Sequence, residues 1–435
     1  MQAGAVALIT GAALLVGVLL WSGLAFWHGK HPLTARSLLA VMLASGILCR
    51  LAYVFLTPIF YAPDEQSHFN YIKYLSEKKS FPILTKGMGD PANEWEYHQP
   101  PLYYLALVPV YRVADAMFHH PATTVVALRL CSFGLWLLHI GLGLVLLRRL
   151  EIKEDLQWLC ALAFGCLLPT YTFVSSAINN DNLLTTMGAG VLCFMACRKP
   201  SLKTSLALGA LLGLSLWVKA SGVVLFPAVG LMFIFQGFQG TIPRRAALMH
   251  LGLVFGLAAL IYSPWAARNW RIYGSFMPEG LSVATKNWPS MVDGFISAAH
   301  NLTKTFWSVS GISNDIGYPF PLFGMGFALL AFAGLAIGWK QAPRPVRDWM
   351  NSPNALITAA LALAVLINVV LVLRLGYFYG MGQGRHLFAL LYPIALLLAV
   401  GLRFVPARNP AIHLAGFWIT YALAFQAFSL SQFPR

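Results

Sequence analysis

Charged residues are scarce in this chain. They make up 10% of its 435 residues, and its 15 acids are outnumbered by 30 lysines and arginines. Soluble domains carry roughly 25% charged residues, so the composition excludes an ordinary soluble enzyme. A hydrophobic share of 58% and a mean hydropathy of +0.67 indicate instead a protein embedded in a lipid bilayer.

Cysteine is equally scarce. The 6 cysteines lie in apolar stretches without a CxxC pair, which predicts neither a disulfide framework nor a zinc site. The chain also has no Ser/Gly-rich linker, no low-complexity run and no convincing internal repeat. We therefore predict one integral membrane domain over residues 1–435.

Long apolar runs, by contrast, recur along the whole chain. Each has about 20 residues, the length that crosses a bilayer as a helix, which predicts an all-α polytopic membrane protein with about twelve transmembrane helices. The first run has no charged segment before it and exceeds the length of a signal peptide core, so we expect it to remain as a helix. The predicted spans are 5–27, 37–58, 124–147, 156–177, 182–197, 203–218, 221–237, 246–267, 320–339, 354–373, 386–404 and 411–430.

The net charge of +15 would suit nucleic acid, but the positions of the basic residues decide against such a partner. They fall in every second connection between spans, all of them short, as cytoplasmic loops do. Most acids lie in the opposite connections, which include two long loops at 59–123 and 268–319. We therefore place both loops and both termini on the outer side, with the segment 101–118 along the surface or partly re-entrant.

The loop 59–123 is predicted to carry amphipathic juxtamembrane helices. One should start at Glu65, because Phe69, Ile72 and Leu75 share one face at helical spacing. The adjacent acids Asp64 and Glu65 follow Pro63 where the second span leaves the bilayer. A carboxylate there becomes more basic and suits catalysis by accepting a proton; the alternative is that Asp64 only caps the helix.

Other polar residues of this loop are candidates for substrate binding. His68 lies one turn after Asp64, and the run from Glu96 through His98 and Gln99 to Tyr103 returns to the membrane. These groups suit a sugar ring or a lipid head group, or they form an ordinary interfacial turn. A further alternative is a divalent metal site formed by Glu65, His68 and His98, although the spacing of these residues is a weak signal. The sequence identifies no other cofactor.

Cations gather at the same predicted side. Lys219 lies between two spans, Arg268 and Arg271 end the eighth, and Arg385 with His386 opens the eleventh after three nearby glycines. The arginine fork fits phosphate oxygens, and a glycine-rich helix start favours anions. The alternatives are a snorkelling lysine and a flexible loop.

Two further polar residues stand out. Asp181 lies in the short turn 175–182 and either hydrogen-bonds substrate hydroxyls or simply forms the turn. Arg50 lies inside the second span and is expected to pair with a loop acid or a lipid phosphate.

Four segments together resemble the GT-C superfamily of membrane glycosyltransferases. They are Pro63-Asp64-Glu65 with His68, the run from His98 to Tyr104, Asn180-Asp181, and the run from Trp265 to Gly274. Their order is most similar to a bacterial branch related to protein O-mannosyltransferases and lipid A aminoarabinose transferases. The resemblance covers about 36–404 and leaves 5–27 as an extra N-terminal helix. A late Gly-Arg-aromatic motif of that branch resembles Gly384-Arg385-His386, but His386 departs from it, because tyrosine is more usual there.

The resemblance implies a polyprenyl-phosphate sugar donor, a bacterial inner membrane location, an active site facing the periplasm or exterior, and Asp64 as the catalytic base. We therefore predict an inverting glycosyltransferase that moves the sugar to a hydroxyl of a cell-envelope glycan, a lipid or a protein. Membrane lipid is the second expected partner. The alternatives are a transporter or flippase of a lipid-linked sugar and a non-catalytic assembly partner.

Overall fold

The computed structural model describes residues 2–30, 33–84, 94–197, 200–278, 286–309, 319–341 and 353–433. Every regular element in these ranges is helical. The α-helices are α1 (Gln2–Lys30), α2 (Ala35–Leu56), α3 (Glu65–Lys78), α4 (Leu102–Phe118), α5 (Pro121–Arg149), α6 (Asp155–Leu167), α7 (Pro169–Val174), α8 (Asp181–Met195), α9 (Leu202–Val218), α10 (Leu225–Phe238), α11 (Arg244–Tyr273), α12 (Met291–Trp307), α13 (Phe320–Gln341), α14 (Pro353–Tyr379), α15 (Leu391–Leu402) and α16 (Pro410–Ser431). Three 3₁₀ helices accompany them, Trp95–His98, Ala220–Val224 and Gly384–Leu390.

The predicted all-α polytopic architecture is confirmed. Within the described residues, 9 helices are long and apolar enough to cross a membrane, and two of these, Ala220–Phe238 and Gly384–Leu402, include the 3₁₀ helix that precedes α10 or α15. The chain is a multi-pass membrane protein. Each predicted span contains helix, but α6, α8 and α9 have only 13, 15 and 17 residues. The number of twelve crossings is therefore not established by helix length.

One predicted span, 156–177, is interrupted. Leu168 takes an extended conformation with ψ 115° between α6 and α7. Proline disfavours helical geometry in the residue before it, and Pro169 follows Leu168. The apolar run therefore forms two helices rather than one.

The expectation that Arg50 pairs with a loop acid or a lipid phosphate is wrong. Its guanidinium is fully buried and donates to the carbonyl oxygens of Cys166 at 2.6 Å and Gly165 at 3.1 Å, and to Ser175 Oγ at 2.8 Å. Carbonyls at a helix C-terminus carry partial negative charge and lack partners within the helix. Arg50 thus joins α2 to the end of α6.

An aromatic core lies next to this junction. The ring of Phe164 on α6 packs against Trp307 on α12 and Trp418 on α16, at centroid distances of 5.9 and 4.9 Å. Phe327 on α13 packs against the same tryptophan, Trp418, at 5.2 Å. Large rings from four helices thus fix the bundle around α6.

The described residues of the first long connection, 59–84 and 94–123, lie at one end of the bundle. In α3, Phe69, Ile72 and Leu75 are all buried, which confirms the predicted amphipathic helix. Arg129 of α5 donates to the Thr57 carbonyl just beyond α2 at 2.7 Å. Because α2 ends where α5 begins, α3 and α4 together add no net crossing of the bundle.

Candidate active site

Four charged side chains from distant parts of the sequence meet at the end of the bundle where the first long connection lies. Arg385 Nη2 lies 2.5 Å from Asp64 Oδ2, and Arg385 Nε lies 3.6 Å from Asp181 Oδ2. Lys219 Nζ donates to the other oxygen of Asp181 at 2.6 Å. Two acids and two cations thus form a continuous chain of ion pairs, which we call the ion-pair chain.

Helix ends position these groups. Asp181 is the first residue of α8, where its charge is favoured by the helix dipole, and its N–H donates to Asn179 Oδ1 at 2.8 Å. Lys219 follows the last residue of α9, and Arg385 is the second residue of the 3₁₀ helix Gly384–Leu390. The N–H of Gly384 donates to Thr305 Oγ1 at 2.7 Å, which ties this turn to α12.

Asp64 occupies the N-cap position of α3 but does not cap it. Its backbone is left-handed with φ 60°, and its side chain makes no capping hydrogen bond. Asp and Asn tolerate this conformation better than most residues. The capping alternative is therefore wrong, since the carboxylate is turned toward Arg385 instead.

Glu65, the next residue, has a different environment. Both of its oxygens accept hydrogen bonds from Arg129, at 2.8 and 2.6 Å, and both side chains are at most 1% exposed. The N–H groups of Phe60 and Ile178 donate to the same carboxylate at 3.1 and 3.2 Å. Arg129 also donates to three carbonyl oxygens at the end of α2, those of Val54, Thr57 and Pro58.

A buried polar layer lies beside Asp64. His68 Nδ1 and Tyr104 Oη are 3.0 Å apart, and the Tyr104 hydroxyl donates to Glu96 Oε2 at 3.4 Å. The Asn180 side chain donates to the same hydroxyl at 3.3 Å. Tyr103, buried next to it, accepts from the Asn179 N–H at 3.0 Å. The layer thus joins α3, the turn 95–98, α4 and the start of α8.

Electrostatics separate these groups into charged and neutral ones. Burial opposes ionisation of Asp64 and Asp181, but the nearby cations Arg385 and Lys219 outweigh burial and lower the pKa of both carboxyls. Burial raises the pKa of Glu96 to about 8 and lowers the pKa of His68 to about 3. The site thus holds two carboxyls whose ionised form is favoured, beside a Glu96 carboxyl and a His68 imidazole whose burial favours their neutral forms.

A cavity of about 90 Å³ opens next to the ion-pair chain. Lys219, His98, Gln99 and His386 contribute to its wall, together with aromatic rings such as Trp265. Burial lowers the pKa of His98 to about 4, and its Nδ1 contacts the Trp95 carbonyl at 2.8 Å. Among the described residues, the buried Trp265 Nε1 and Ser221 Oγ of this wall have no hydrogen-bond partner.

The two arginines of α11 do not join the ion-pair chain. Arg268 lies 4.4 Å above the Trp265 ring and donates to the Pro82 carbonyl at 2.6 Å, so it supports the cavity wall and the loop beside it. Arg271 is exposed on α11. Of the four cations that the sequence assigned to phosphate, the structure brings together Lys219 and Arg385.

The suggested metal ligands Glu65, His68 and His98 do not form a metal site. Glu65 is held by Arg129, whereas the Nδ1 atoms of His68 and His98 face Tyr104 and a backbone carbonyl. Over the described part of the chain, no group of 3 or more His, Cys, Asp or Glu residues could hold a metal ion.

Sequence reasoning missed two members of this site. Arg129 lies within an apolar span, and an ionisable residue there is a recognisable signal. Tyr104 gave no such signal, because its neighbour Tyr103 looks equivalent in sequence. Only the fold shows that the Tyr104 hydroxyl is shared by His68, Glu96 and Asn180.

No family model and no curated protein matches the chain in sequence. Solved structures do match. ArnT from Cupriavidus metallidurans bound to undecaprenyl phosphate superposes with a TM-score of 0.53 at 13% identity, covering 90% of this chain and 77% of ArnT. The apo state of ArnT superposes with a TM-score of 0.56 at 12% identity, covering 90% of this chain and 76% of ArnT.

The archaeal oligosaccharyltransferase AglB from Archaeoglobus fulgidus, in complex with an inhibitory peptide and a dolichol-phosphate, gives a TM-score of 0.52 at 14% identity. That match covers 94% of this chain and 57% of AglB. Both proteins are GT-C superfamily membrane glycosyltransferases. This chain has the GT-C fold. The GT-C architecture expected from its motifs is thereby confirmed.

Proposed function

We propose that the protein is an inverting glycosyltransferase that moves a sugar from a polyprenyl-phosphate donor to a hydroxyl acceptor. The observation that carries this proposal is the ion-pair chain, in which a partly exposed carboxylate, Asp64, shares one site with Lys219 and Arg385. A base and phosphate-binding cations are the two elements that such a transfer requires.

In the proposed reaction, the acceptor oxygen attacks the anomeric carbon of the sugar and gives its proton to Asp64. The bond between that carbon and the phosphate oxygen breaks, and the electron pair leaves with the lipid phosphate. Lys219 and Arg385 stabilise the negative charge that develops there. Attack from the face opposite the leaving phosphate inverts the anomeric configuration.

The cavity next to Lys219 is the proposed position of the sugar. Its wall supplies aromatic faces and the polar side chains of His98, Gln99, Ser221 and His386. Sugar rings offer hydroxyls for such polar groups and C–H faces for aromatic rings.

Glu65 receives a positioning role in this proposal, although the sequence placed it in catalysis. Its oxygens are fully engaged by Arg129 and two backbone N–H groups, and its side chain is not exposed. Such a carboxylate cannot reach an acceptor. We assign Glu65 and Arg129 to holding the end of α2 against α3, which sets the position of Asp64.

Two neighbouring GT-C structures contain lipid phosphates, undecaprenyl phosphate in ArnT and dolichol-phosphate in AglB. They support a lipid-linked donor for this chain. The basic residues of the short connections support an active site on the outer face of a bacterial inner membrane. The transport alternative needs polar groups along a membrane path, whereas Arg50 of the second span is bound by the backbone carbonyls of Cys166 and Gly165 and by Ser175 Oγ.

The direct test is Asp64→Asn in proteoliposomes supplied with undecaprenyl-phosphate sugars labelled in the sugar. Loss of the base should slow transfer by about 10²- to 10⁴-fold. Asp115→Asn, an exposed acid at the end of α4, is the matched control and should keep full activity. Transfer at an undiminished rate by Asp64→Asn would remove this residue from the role of base.

A further inference from the structure

Asp64 is engaged by a cation in this structure. Its Oδ2 lies 2.5 Å from Arg385 Nη2, and the positive charge lowers the pKa of the carboxyl. A carboxylate with a lowered pKa is a weaker base. The pairing with Arg385 therefore opposes the role that the proposed function gives to Asp64.

Arg385 has donors left for another anion. Its Nη1 has no hydrogen-bond partner among the described residues, and its Nε is 3.6 Å from Asp181 Oδ2, which also has none there. A guanidinium offers five N–H donors in a planar fork that matches phosphate oxygens. The Arg385 side chain is 11% exposed and its Nη2 holds the partly exposed Asp64, so a phosphate that takes the place of this carboxylate needs no movement of the guanidinium.

A phosphate at Arg385 would stand beside two carboxylates of like charge, so one of them should move away. Asp181 is 3% exposed and is bound to Lys219 at 2.6 Å, whereas the Asp64 side chain is 31% exposed. Leaving an acid unpaired is costly in a buried place and cheaper where water reaches it. Asp64 is therefore the acid that gives way.

We propose that a phosphate anion entering beside Arg385 displaces Asp64 from the guanidinium, so that Asp64 becomes a competent base only after the donor has bound. Asp181 acts as a positioning residue that keeps Lys219 and Arg385 together during the exchange. No covalent bond changes, because one ion pair of Arg385 is replaced by another. This inference rests on the proposed function. It requires the donor to bind before the acceptor.

The experiment is a pH titration of the Asp64 carboxyl by infrared spectroscopy in lipid nanodiscs. Subtracting spectra of Asp64→Asn from those of the wild type isolates this group. Adding undecaprenyl phosphate should raise the titration midpoint by about one pH unit or more, since removal of an adjacent cation has an effect of that size. Undecaprenol, which has the same chain without the phosphate, should leave the midpoint unchanged.

Two variants separate displacement from simple repulsion between Asp64 and the phosphate. In Arg385→Gln the midpoint should already be high, and undecaprenyl phosphate should raise it less than in the wild type. An equal rise in both proteins would show repulsion alone and overturn the proposal. Arg112→Gln, which removes an exposed arginine bound to Ser76 in the same connection, should behave as the wild type.

Lipid binding is measured in parallel by saturable quenching of tryptophan fluorescence, because Trp95 and Trp265 line the cavity. If undecaprenyl phosphate binds and the Asp64 midpoint does not move, the displacement is refuted while the proposed function stands. If undecaprenyl phosphate binds no better than undecaprenol, the proposed function itself fails.

Discussion

Asp64 and Glu65 are adjacent acids with opposite surroundings. Glu65 is buried and bound on both oxygens by Arg129, whereas Asp64 is partly exposed and bound by Arg385 through one oxygen. The side chains diverge because Asp64 is left-handed and Glu65 begins α3. The sequence predicted an acidic pair at a helix start and placed both acids in catalysis, whereas in the structure Asp64 stays partly exposed and Glu65 is buried.

Glu96 gives a pH prediction at this scale. Burial raises its pKa to about 8 from an ordinary 4.5, so the folded protein favours the protonated form. Its contribution to stability is complete below about pH 4.5 and is lost as pH rises through about 8. In Glu96→Gln, which mimics the protonated acid, this loss should be absent.

The measurement is the thermal unfolding midpoint of the wild type and of Glu96→Gln, both in detergent, between pH 5 and about 9. Over this pH range, burial of the Glu96 carboxylate becomes costly. The difference between the two proteins should grow with pH in favour of Glu96→Gln. Glu77→Gln, at the end of α3, is the matched control. A difference that stays constant over this range would contradict a neutral Glu96 in the folded protein.

At the level of helices, the apolar runs and the amphipathic pattern of α3 were visible in the sequence. The break at Leu168 was also encoded, by Pro169, yet the hydropathy of 156–177 concealed it. The hydrogen-bond partners of Arg50 could not be predicted from its neighbours in the sequence. It depends on the carbonyls that the break exposes at the end of α6, which come close to α2 only in the packed bundle.

The extra helix α1 allows a prediction about packing. It lies against α16, where Trp21 donates to His413 Nδ1 at 3.3 Å. A Cβ at Gly17 would come within 2.8 Å of Thr420, whereas a Cβ at Gly23 meets nothing within 4 Å. Gly17→Val should therefore separate the two helices and cost about 1–3 kcal/mol.

Thermal stability of the purified protein distinguishes the two positions. Gly17→Val should lower the unfolding midpoint, and Gly23→Val should stay close to the wild type, since both add the same side chain to the same helix. Equal midpoints for the two variants would mean that α1 is not packed on α16 through Gly17.

For the whole molecule, the ion-pair chain lies at the end where α2 and α9 finish. Lys219 follows α9, and Lys203 lies at the opposite end of that helix. Because short basic connections stay in the cytoplasm, the site should face outward. The sorting of charge along the sequence thus predicts the orientation of the site that the fold assembles.

Thiol labelling tests this orientation. Lys79→Cys, after α3, and Lys203→Cys, at the start of α9, are both exposed and lie at opposite ends. In intact cells an impermeant maleimide should label the first and leave the second unlabelled until the membrane is opened. The unsubstituted chain corrects for its own 6 cysteines. The reverse pattern would place the site in the cytoplasm.

The sequence by itself determined the membrane class, the helices and the loop that carries Asp64, because hydropathy and charge sorting act through local composition. It also indicated Lys219, Asp181 and Arg385 as candidates. Tertiary structure decided that these three meet Asp64, that Arg268 and Arg271 stay apart, and that Arg129 occupies Glu65. Ion pairs depend on distances between side chains, and helices far apart in sequence set those distances only when they pack.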